Sequence, residues 1–266
     1  MKLAILFWFY KDIEVCKNRL QLIRKYNPNI KIYGLYGGPS QNSDEFKSGL
    51  MEYMDDFYLS PFLDPDWKWY NGDLVILDWY EKRGKVLEWD SIIPVQWDML
   101  VFDSLEKIFS GIKEDEMYIS GLQKISSFIE KRWHWTKKSF FGSRERKNYL
   151  SFKKYIKGNY NYDEDLLCCL FILLVIPRKF FDKYLTVENR EIGFLEYKIP
   201  TYAKIFDFKF FEKDLSVEFS FKKEDRGNKA MNAIPIEIND SYIDSELKKR
   251  DGWRIFHPYF NLWRDK

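Results

Sequence analysis

The chain has 266 residues, a length that fits one large domain or two small ones. Hydrophobic residues make up 45% of it, enough for a substantial core, and aromatic residues make up 19%. Lysine and arginine (43) nearly balance aspartate and glutamate (41). This balance lacks the excess of basic charge typical of nucleic-acid-binding proteins, so we expect no nucleic acid among the partners.

The cysteines and the apolar runs indicate where the protein works. Cys168 and Cys169 are adjacent in an apolar run, which suits neither a disulfide framework nor a zinc site and favours a reducing compartment. The apolar runs at residues 3–9 and 166–176 are too short for a signal sequence or for a membrane span of about 20 residues. We predict a buried helix at residues 166–176 and a cytoplasmic location.

The first sixty residues read as a strand-helix-strand unit with a further strand. The β-prone run at residues 2–10 predicts a parallel strand buried on both faces. Asp12 is expected to cap the helix that follows, and residues 30–36 form the next predicted strand. A third strand is predicted at residues 55–59.

Two acids one residue apart follow the next predicted helix, at residues 73–83. The sequence VLEWD at residues 86–90 reads as a short apolar strand that ends in Glu88 and Asp90. Residues i and i+2 of a strand face the same side, so both carboxylates can meet one Mn²⁺ or Mg²⁺ ion that also binds a diphosphate. The alternative is two exposed acids at the end of a strand.

These elements predict an α/β fold with an open, mostly parallel central sheet flanked by helices and an irregular second half. Ligands of such sheets bind beyond the carboxyl ends of the strands. We therefore expect Tyr10, Gly37 and Gly38, together with Glu88 and Asp90, to lie at that edge of the sheet.

The second half offers three further candidates. His257, in a compact segment near the C-terminus, is either a metal ligand or a packed structural histidine. Glu196 lies in an aromatic stretch, residues 191–201, that we predict to be a loop. Such a glutamate can have a raised pKa and act as a general base, or it can pair with Lys198 or Arg190. His134, between two tryptophans, is either structural or a neighbour of a stacked sugar.

Other polar residues are weaker candidates for ligand contacts. Asp55 or Asp56 could accept a hydrogen bond from a base edge, and Asn71 and Asp73 could bond a ribose or a sugar. The basic stretch at residues 137–147 has three interpretations: a solvated loop, a phosphate clamp, or a peripheral contact with an anionic membrane.

With these landmarks in order, the chain resembles the GT-A-type glycosyltransferases, the nucleotide-diphospho-sugar transferases. The matching features are the opening strand, the strand that ends in Gly37-Gly38, the helix that leads into Glu88 and Asp90, and the late segment around His257. The resemblance implies one domain over residues 1–266. Residues 1–100 would bind the nucleotide-sugar donor and residues 101–266 the acceptor.

The resemblance also implies an activity and roles for residues. The activity is metal-dependent transfer of a hexose or pentose from a nucleotide sugar to a hydroxyl of a carbohydrate or glycolipid acceptor, in surface glycan or polysaccharide synthesis. Asp90 would bind Mn²⁺ or Mg²⁺, and His257 would be a further ligand. Glu88 stands where the family usually has Asp, and it would support the metal or the ribose. Glu196 is the candidate base, with Asp163 and Asp165 behind it. The expected donor-binding residues are Phe9, Tyr10, Gly37, Gly38, Asp56, Asp73, Glu88 and Trp89.

Two other classes of protein remain open at this point. A glycoside hydrolase also uses two carboxylates, but it needs them about 5 to 10 Å apart across a cleft, which adjacent acids on one strand do not provide. A non-catalytic carbohydrate- or nucleotide-binding module could use the Trp67-Lys68-Trp69 segment.

Overall fold

The computed structural model describes residues 1–138, 143–217 and 229–264. The strands in these ranges are β1 (Leu3–Phe9), β2 (Lys31–Tyr36), β3 (Asp56–Leu59), β4 (Ser91–Gln96), β5 (Leu100–Val101), β6 (Glu116–Ile119), β7 (Gln123–Lys124), β8 (Leu167–Cys168), β9 (Leu174–Pro177), β10 (Lys209–Phe210) and β11 (Ile255–Phe256). The helices are α1 (Ile13–Tyr26), α2 (Ser43–Leu50), α3 (Pro65–Tyr70), α4 (Gly72–Lys82), α5 (Leu105–Ile108), α6 (Ser127–Arg132), α7 (Arg144–Tyr160), α8 (Arg178–Leu185), α9 (Leu195–Ile205) and α10 (Asp240–Lys248).

A seven-stranded sheet runs through the described residues in the order β10-β6-β9-β4-β1-β2-β3. Strands β4, β1, β2 and β3 are parallel, while β9 runs antiparallel to both β4 and β6. The carboxyl ends of the parallel strands therefore share one edge of the sheet. The predicted α/β fold with an open, mostly parallel sheet is confirmed.

Strand β1 is buried on both faces, and its side chains alternate between two cores. Ala4 and Leu6 belong to the core on one face, which also contains apolar side chains of α4, α8 and α9. Ile5 and Phe7 belong to the core on the other face, with side chains of α1 and α2. Asp12 caps α1 as predicted, since its Oδ1 accepts the amides of Glu14 and Val15, both at 3.1 Å.

A third, smaller core holds the C-terminal segment against α1. It contains Leu22 of α1, Phe256 of β11 and Trp263. Arg19, fully buried, donates to the carbonyl oxygens of Tyr259 at 2.9 Å and Asn261 at 2.6 Å. The last described residues are thereby fixed to the first helix.

Three predicted elements differ from the structure. Residues 86–90 are not a strand: a 3-10 turn covers Gly84–Val86, and the strand begins at Ser91. Residues 166–176 are not a helix but contain β8 and part of β9. The predicted loop at residues 191–201 contains most of α9, which begins at Leu195.

No helix in the described ranges is both long and apolar enough to cross a membrane. Cys16, Cys168 and Cys169 are buried and unpaired with one another. Burial raises the pKa of the Cys168 thiol to about 12, so this group is inert at neutral pH.

Candidate active site at the carboxyl edge of the sheet

A cleft of about 1250 Å³ lies at the carboxyl edge of the parallel strands. Tyr10, Gly37 and Gln96, at the ends of β1, β2 and β4, line it on the sheet side. The other walls come from α3, from the segment after α6 and from the start of α9. This is the edge at which open α/β sheets bind ligands, and Tyr10, Gly37 and Gly38 lie there as expected.

The two glycines allow the chain to pass close to the aromatic side chains beneath it. A Cβ atom on Gly37 would lie 2.9 Å from Nε1 of Trp8, and one on Gly38 would collide with the ring of Tyr36. Trp8 is one of the residues that line the cleft, but its Nε1 atom is buried and has no hydrogen-bond partner among the described atoms. Gly37 therefore leaves room for the Trp8 indole, which packs directly against the chain at this point.

Glu88 and Asp90 lie at the opposite edge of the sheet. Ser91, the first residue of β4, pairs with Leu3, the first residue of β1, so residues before it are at the amino end. Glu88 is exposed and ion-paired with Lys2, and Asp90 accepts the Lys2 amide at 2.6 Å. Six residues of strand, roughly 20 Å, separate them from the cleft. The strand predicted at residues 86–90 lies instead at Ser91–Gln96. Glu88 and Asp90 therefore do not end a strand at the ligand-binding edge, which was the reason for placing a metal ion between them.

The other end of β4 carries a different acid. Asp98 lies two residues beyond Gln96, and its Oδ1 is 3.4 Å from Nε2 of His257. The other ring nitrogen, Nδ1, is 2.8 Å from the carbonyl oxygen of Asn232. If Nδ1 carries the proton and donates to that carbonyl, Nε2 presents a lone pair toward Asp98.

His257 and Asp98 lie close enough to form an ion pair when the imidazole is protonated. Burial lowers the pKa of His257, but Asp98 and the Asn232 carbonyl raise it, with a net shift upward. Asp98 Oδ1 is buried and accepts no hydrogen bond from any described residue. A buried carboxylate oxygen without a donor, facing an imidazole nitrogen, is a suitable pair of ligands for a divalent cation.

The protein part of such a site is incomplete. In the described ranges no three His, Cys, Asp or Glu residues are grouped so that they could hold a metal ion. Mg²⁺ and related cations commonly take one or two protein ligands and complete their shell with phosphate oxygens and water. Asp98 and His257 fit a cation bound together with a diphosphate, and the Gln96 side chain lines the cleft beside them.

Glu196 lies in the wall of the same cleft, on the first turn of α9. Its Oε1 accepts the amide of Phe171 at 3.1 Å. Burial raises the pKa of Glu196 to about 7, although hydrogen bonds from Phe171 and Trp135 oppose the shift. A carboxyl group with this pKa can accept a proton near neutral pH.

Pro200 helps to fix Glu196 in place. Proline has no amide hydrogen, so within α9 it leaves the carbonyl oxygen four residues earlier, that of Glu196, without its helical donor. Cys169 takes that place and donates to the Glu196 carbonyl at 2.8 Å. Backbone and side chain of Glu196 are thus both held by residues that follow β8.

The remaining predicted donor-binding residues do not line the cleft. Phe9 is fully buried in the core, stacked with Phe7. Asp56 forms a two-point ion pair with Arg83 at the amino edge. Asp73 is buried against Lys198 at 2.8 Å. Trp89 is buried beneath the guanidinium group of Arg178, 4.2 Å from its ring.

An aromatic wall faces the sheet side of the cleft. Trp135 stacks on Phe194 at 3.8 Å between ring centroids, and Trp69 lies 5.2 Å from Trp135. Trp69 is 65% exposed, so its ring is available to a ligand, and His134 lines the cleft beside Trp135. Aromatic faces of this kind suit the apolar faces of sugar rings and bases.

Asp98 was missed from sequence, and so was Gln96. The signal was the run SIIPVQ followed by WD, in which an apolar strand leads to an acid. Pro94 within that run argues against a central strand. The structure tolerates it because β9 pairs only with Ser91 and Ile92, so β4 has β1 alone as its partner from Ile93 onward.

Comparison with known proteins gives similarity of fold. No family model and no curated protein sequence matches the chain. Similar solved structures include mouse xyloside xylosyltransferase 1 in its apo form (10% identity, TM-score 0.48, 100% of each chain covered). The bifunctional glycosyltransferase WbbM is similar over 96% of this chain and 45% of its own (10% identity, TM-score 0.46). The Mn/GDP form of core-mannan synthase A from Aspergillus fumigatus is similar over 79% of this chain and 70% of its own (9% identity, TM-score 0.46).

The structural similarity is to GT-A-type glycosyltransferases, as the sequence resemblance predicted, and to nucleotidyltransferases such as a cytidylyltransferase. The chain spans less than half the length of WbbM. At these identities and TM-scores the similarity assigns no activity to the chain. The function proposed below rests on the residues of the cleft.

Proposed function

We propose that the protein is a metal-dependent glycosyltransferase that moves a hexose or pentose from a nucleotide-sugar donor to an acceptor hydroxyl, in surface glycan or polysaccharide synthesis. The observation that carries the proposal is the pairing of Asp98 with His257 beside a large cleft at the carboxyl edge of the sheet. In this proposal residues 1–100 supply most donor contacts and residues 101–266 most acceptor contacts.

Asp98 and His257 would hold the cation, Mn²⁺ or Mg²⁺. A divalent cation stabilises the negative charge that develops on a diphosphate leaving group. Tyr10, Gly37 and Gly38 would bind the donor from the sheet side, where Trp8 also lines the cleft. Lys68, which also lines the cleft, is held by the Gly37 carbonyl at 2.6 Å.

Glu196 would accept the proton of the acceptor hydroxyl. Its carboxyl group is fixed by the Phe171 amide, and its raised pKa makes it a stronger base than an exposed glutamate. The exposed face of Trp69 and the neighbouring Trp135 would pack on the acceptor.

A thermal-shift screen of nucleoside diphosphates with and without Mn²⁺ tests the proposal. A ligand that binds only the native state raises the melting temperature. We expect one nucleotide to stabilise the wild-type protein only when Mn²⁺ is present. Asp98→Asn should weaken that metal-dependent binding at least tenfold, since it removes the charged ligand.

Asp90→Asn is the matched control, because it makes the same change at the opposite edge of the sheet and Asn can still accept the Lys2 amide. Equal binding by Asp98→Asn and wild type would contradict the site. If only Asp90→Asn loses metal-dependent nucleotide binding, the metal site would instead be at Glu88 and Asp90, as predicted from the sequence. Stabilisation by simple sugars and by no nucleotide would favour a hydrolase or a binding module.

A further inference from the structure

The charge of this protein is strongly segregated along the chain. Residues 130–157 contain ten Lys or Arg and two Asp or Glu, a net charge of +8, although the whole chain carries only +2. The rest of the chain is therefore net −6. In the structure this basic segment comprises the end of α6, the residues that follow it and most of α7, with residues 139–142 outside the described ranges.

Helix α7 presents its basic residues on one face. Its buried side chains, Tyr149, Phe152 and Ile156, face the core. At 100° per residue the opposite side carries an arc of exposed residues that is mostly basic. Its basic members are Arg144, Lys147, Lys153, Lys154 and Lys157, and Leu150, Ser151 and Gly158 lie among them.

Few carboxylates neutralise this face. Lys157 pairs with Asp163 at 2.8 Å, and both side chains are mostly exposed. Arg146 is turned inward and pairs with Glu130 at 2.7 Å, which fixes α7 to α6. Lys147, Lys153 and Lys154 form no ion pair with any described residue. Like charges such as Lys153 and Lys157, one turn apart, disfavour an isolated helix, and an anionic partner would relieve that repulsion.

Apolar side chains accompany the basic ones. Leu150 is 47% exposed within the arc, and Phe128 of α6 is 51% exposed beneath the guanidinium group of Arg132 at 4.2 Å. A polyanion such as RNA is bound by charge and stacking. Exposed aliphatic and aromatic groups set among lysines are instead typical of surfaces that enter the headgroup region of a membrane.

The exposed arc of α7 and the adjacent end of α6, together called the α6–α7 face, border the cleft. Arg132, at the end of α6, lines the cleft together with His134 and Trp135. Arg144, at the start of α7, lies over the ring of Tyr70 at 5.9 Å, next to the exposed Trp69. A surface that rests on the basic face therefore lies beside the aromatic wall.

We propose that the α6–α7 face docks on a membrane surface rich in anionic lipid headgroups, and that the acceptor is a glycolipid carried by that membrane. Docking follows from the charge and the exposed apolar groups alone. The identity of the acceptor rests in addition on the proposed transferase function.

Vesicle sedimentation tests the docking without any nucleotide. The protein should bind phosphatidylcholine vesicles that contain phosphatidylglycerol, release them as salt is raised, and ignore vesicles of phosphatidylcholine alone. Each lysine near an anionic surface contributes about fivefold in affinity. The triple variant Lys147→Gln/Lys153→Gln/Lys154→Gln should therefore bind roughly 100-fold more weakly, with its nucleotide-dependent thermal shift unchanged.

The control variant Lys113→Gln/Lys213→Gln/Lys248→Gln loses the same charge from exposed positions elsewhere and should bind like wild type. No binding of wild type to anionic vesicles at low salt, or equal loss in both triple variants, would overturn the proposal. Tighter binding to RNA than to vesicles would also overturn it, in favour of a polyanion. If the protein binds anionic vesicles but no nucleotide, the docking proposal would hold and the proposed transferase function would be refuted.

Discussion

At the scale of single residues, Glu196 has an environment that suits a base. Its side chain is partly buried in the cleft wall near Trp135, accepts one backbone amide from Phe171 and has no cationic partner among the described residues. Lys198, two residues away, is committed to Asp73 instead. Burial without a counter-charge favours the neutral acid and brings the pKa of Glu196 to about 7.

The first prediction concerns the pH dependence of turnover. Because Glu196 must be ionised to accept a proton, kcat/KM for sugar transfer should rise with pH and level off above an apparent pKa of about 7. Glu196→Gln should lower kcat at least about 100-fold and abolish this limb of the profile. An unchanged profile in the variant would assign the ionisation to another group.

The second prediction concerns the stability of the same variant. The folded protein holds the Glu196 proton more tightly than the unfolded chain does, so this group stabilises the fold fully below about pH 4.5. That contribution is lost as pH rises toward 7. Chemical denaturation should show Glu196→Gln gaining up to about 3 kcal/mol relative to wild type between pH 4 and pH 8. A pH-independent difference would contradict the burial of an uncompensated carboxylate.

Residue types alone predicted part of the candidate site. His257 and Glu196 were recognisable because a rare histidine and an acid in an aromatic stretch stand out in the sequence. Asp98 did not stand out, since its role depends on the end of β4 and on a histidine brought to it by the C-terminal segment. Phe9 and Asp73 were predicted to face the ligand, but the direction of a side chain depends on packing that the sequence does not reveal.

At the scale of elements, a buried ion pair joins α4 to α9. Lys198 Nζ lies 2.8 Å from Asp73 Oδ2 and 2.8 Å from the carbonyl oxygen of Arg190. Tyr184 of α8 donates to the same carboxylate at 2.5 Å. Three helices therefore meet at one buried carboxylate, and α9 is the helix that carries Glu196.

The third prediction is that Lys198→Met destabilises the fold by about 3 to 5 kcal/mol, since it leaves the charge of Asp73 buried without its cation. Urea denaturation measures the change. Lys204→Met, on the exposed side of the same helix, is the control and should change the stability by less than about 1 kcal/mol. An effect of Lys198→Met no larger than that of the control would contradict a stabilising role for this buried ion pair.

The elements that sequence patterns misplaced share a physical cause. Residues 166–176 are apolar throughout, so periodicity could not separate a helix from the two short strands that the structure contains. In α9, Pro200 argued for a loop, but the Glu196 carbonyl that it frees is satisfied by Cys169. Strands β1, β2 and β3 were predicted within one or two residues, since apolar runs bounded by turn residues mark them well.

At the scale of the whole molecule, the candidate metal site joins distant parts of the chain. Asp98 follows β4, while His257 follows β11. The C-terminal segment is held by Arg19 and by Asn18, whose Nδ2 donates to the Trp263 carbonyl at 2.9 Å. The position of His257 therefore depends on contacts that the C-terminal segment makes with α1.

The fourth prediction is that Arg19→Met weakens metal-dependent nucleotide binding although Arg19 does not line the cleft. Two carbonyl oxygens would lose their donor, at a cost of about 3 kcal/mol, and His257 would be less firmly placed. Thermal melting and nucleotide titration with Mn²⁺ measure the two effects. Lys17→Met, in a surface ion pair with Glu52, should leave both unchanged. If the melting temperature falls but the nucleotide affinity is unchanged, the attachment of the C-terminal segment to α1 would not be needed for binding at the site.

The order of the chain has a consequence for its synthesis on the ribosome. The four parallel strands and Asp98 emerge first, so a growing chain can assemble the floor of the cleft early. His257, its Asn232 partner and the residues that Arg19 holds are synthesised well after them. A nascent chain would therefore lack one of the two proposed cation ligands until residue 257 has been made, so metal-dependent donor binding would have to wait for this later segment.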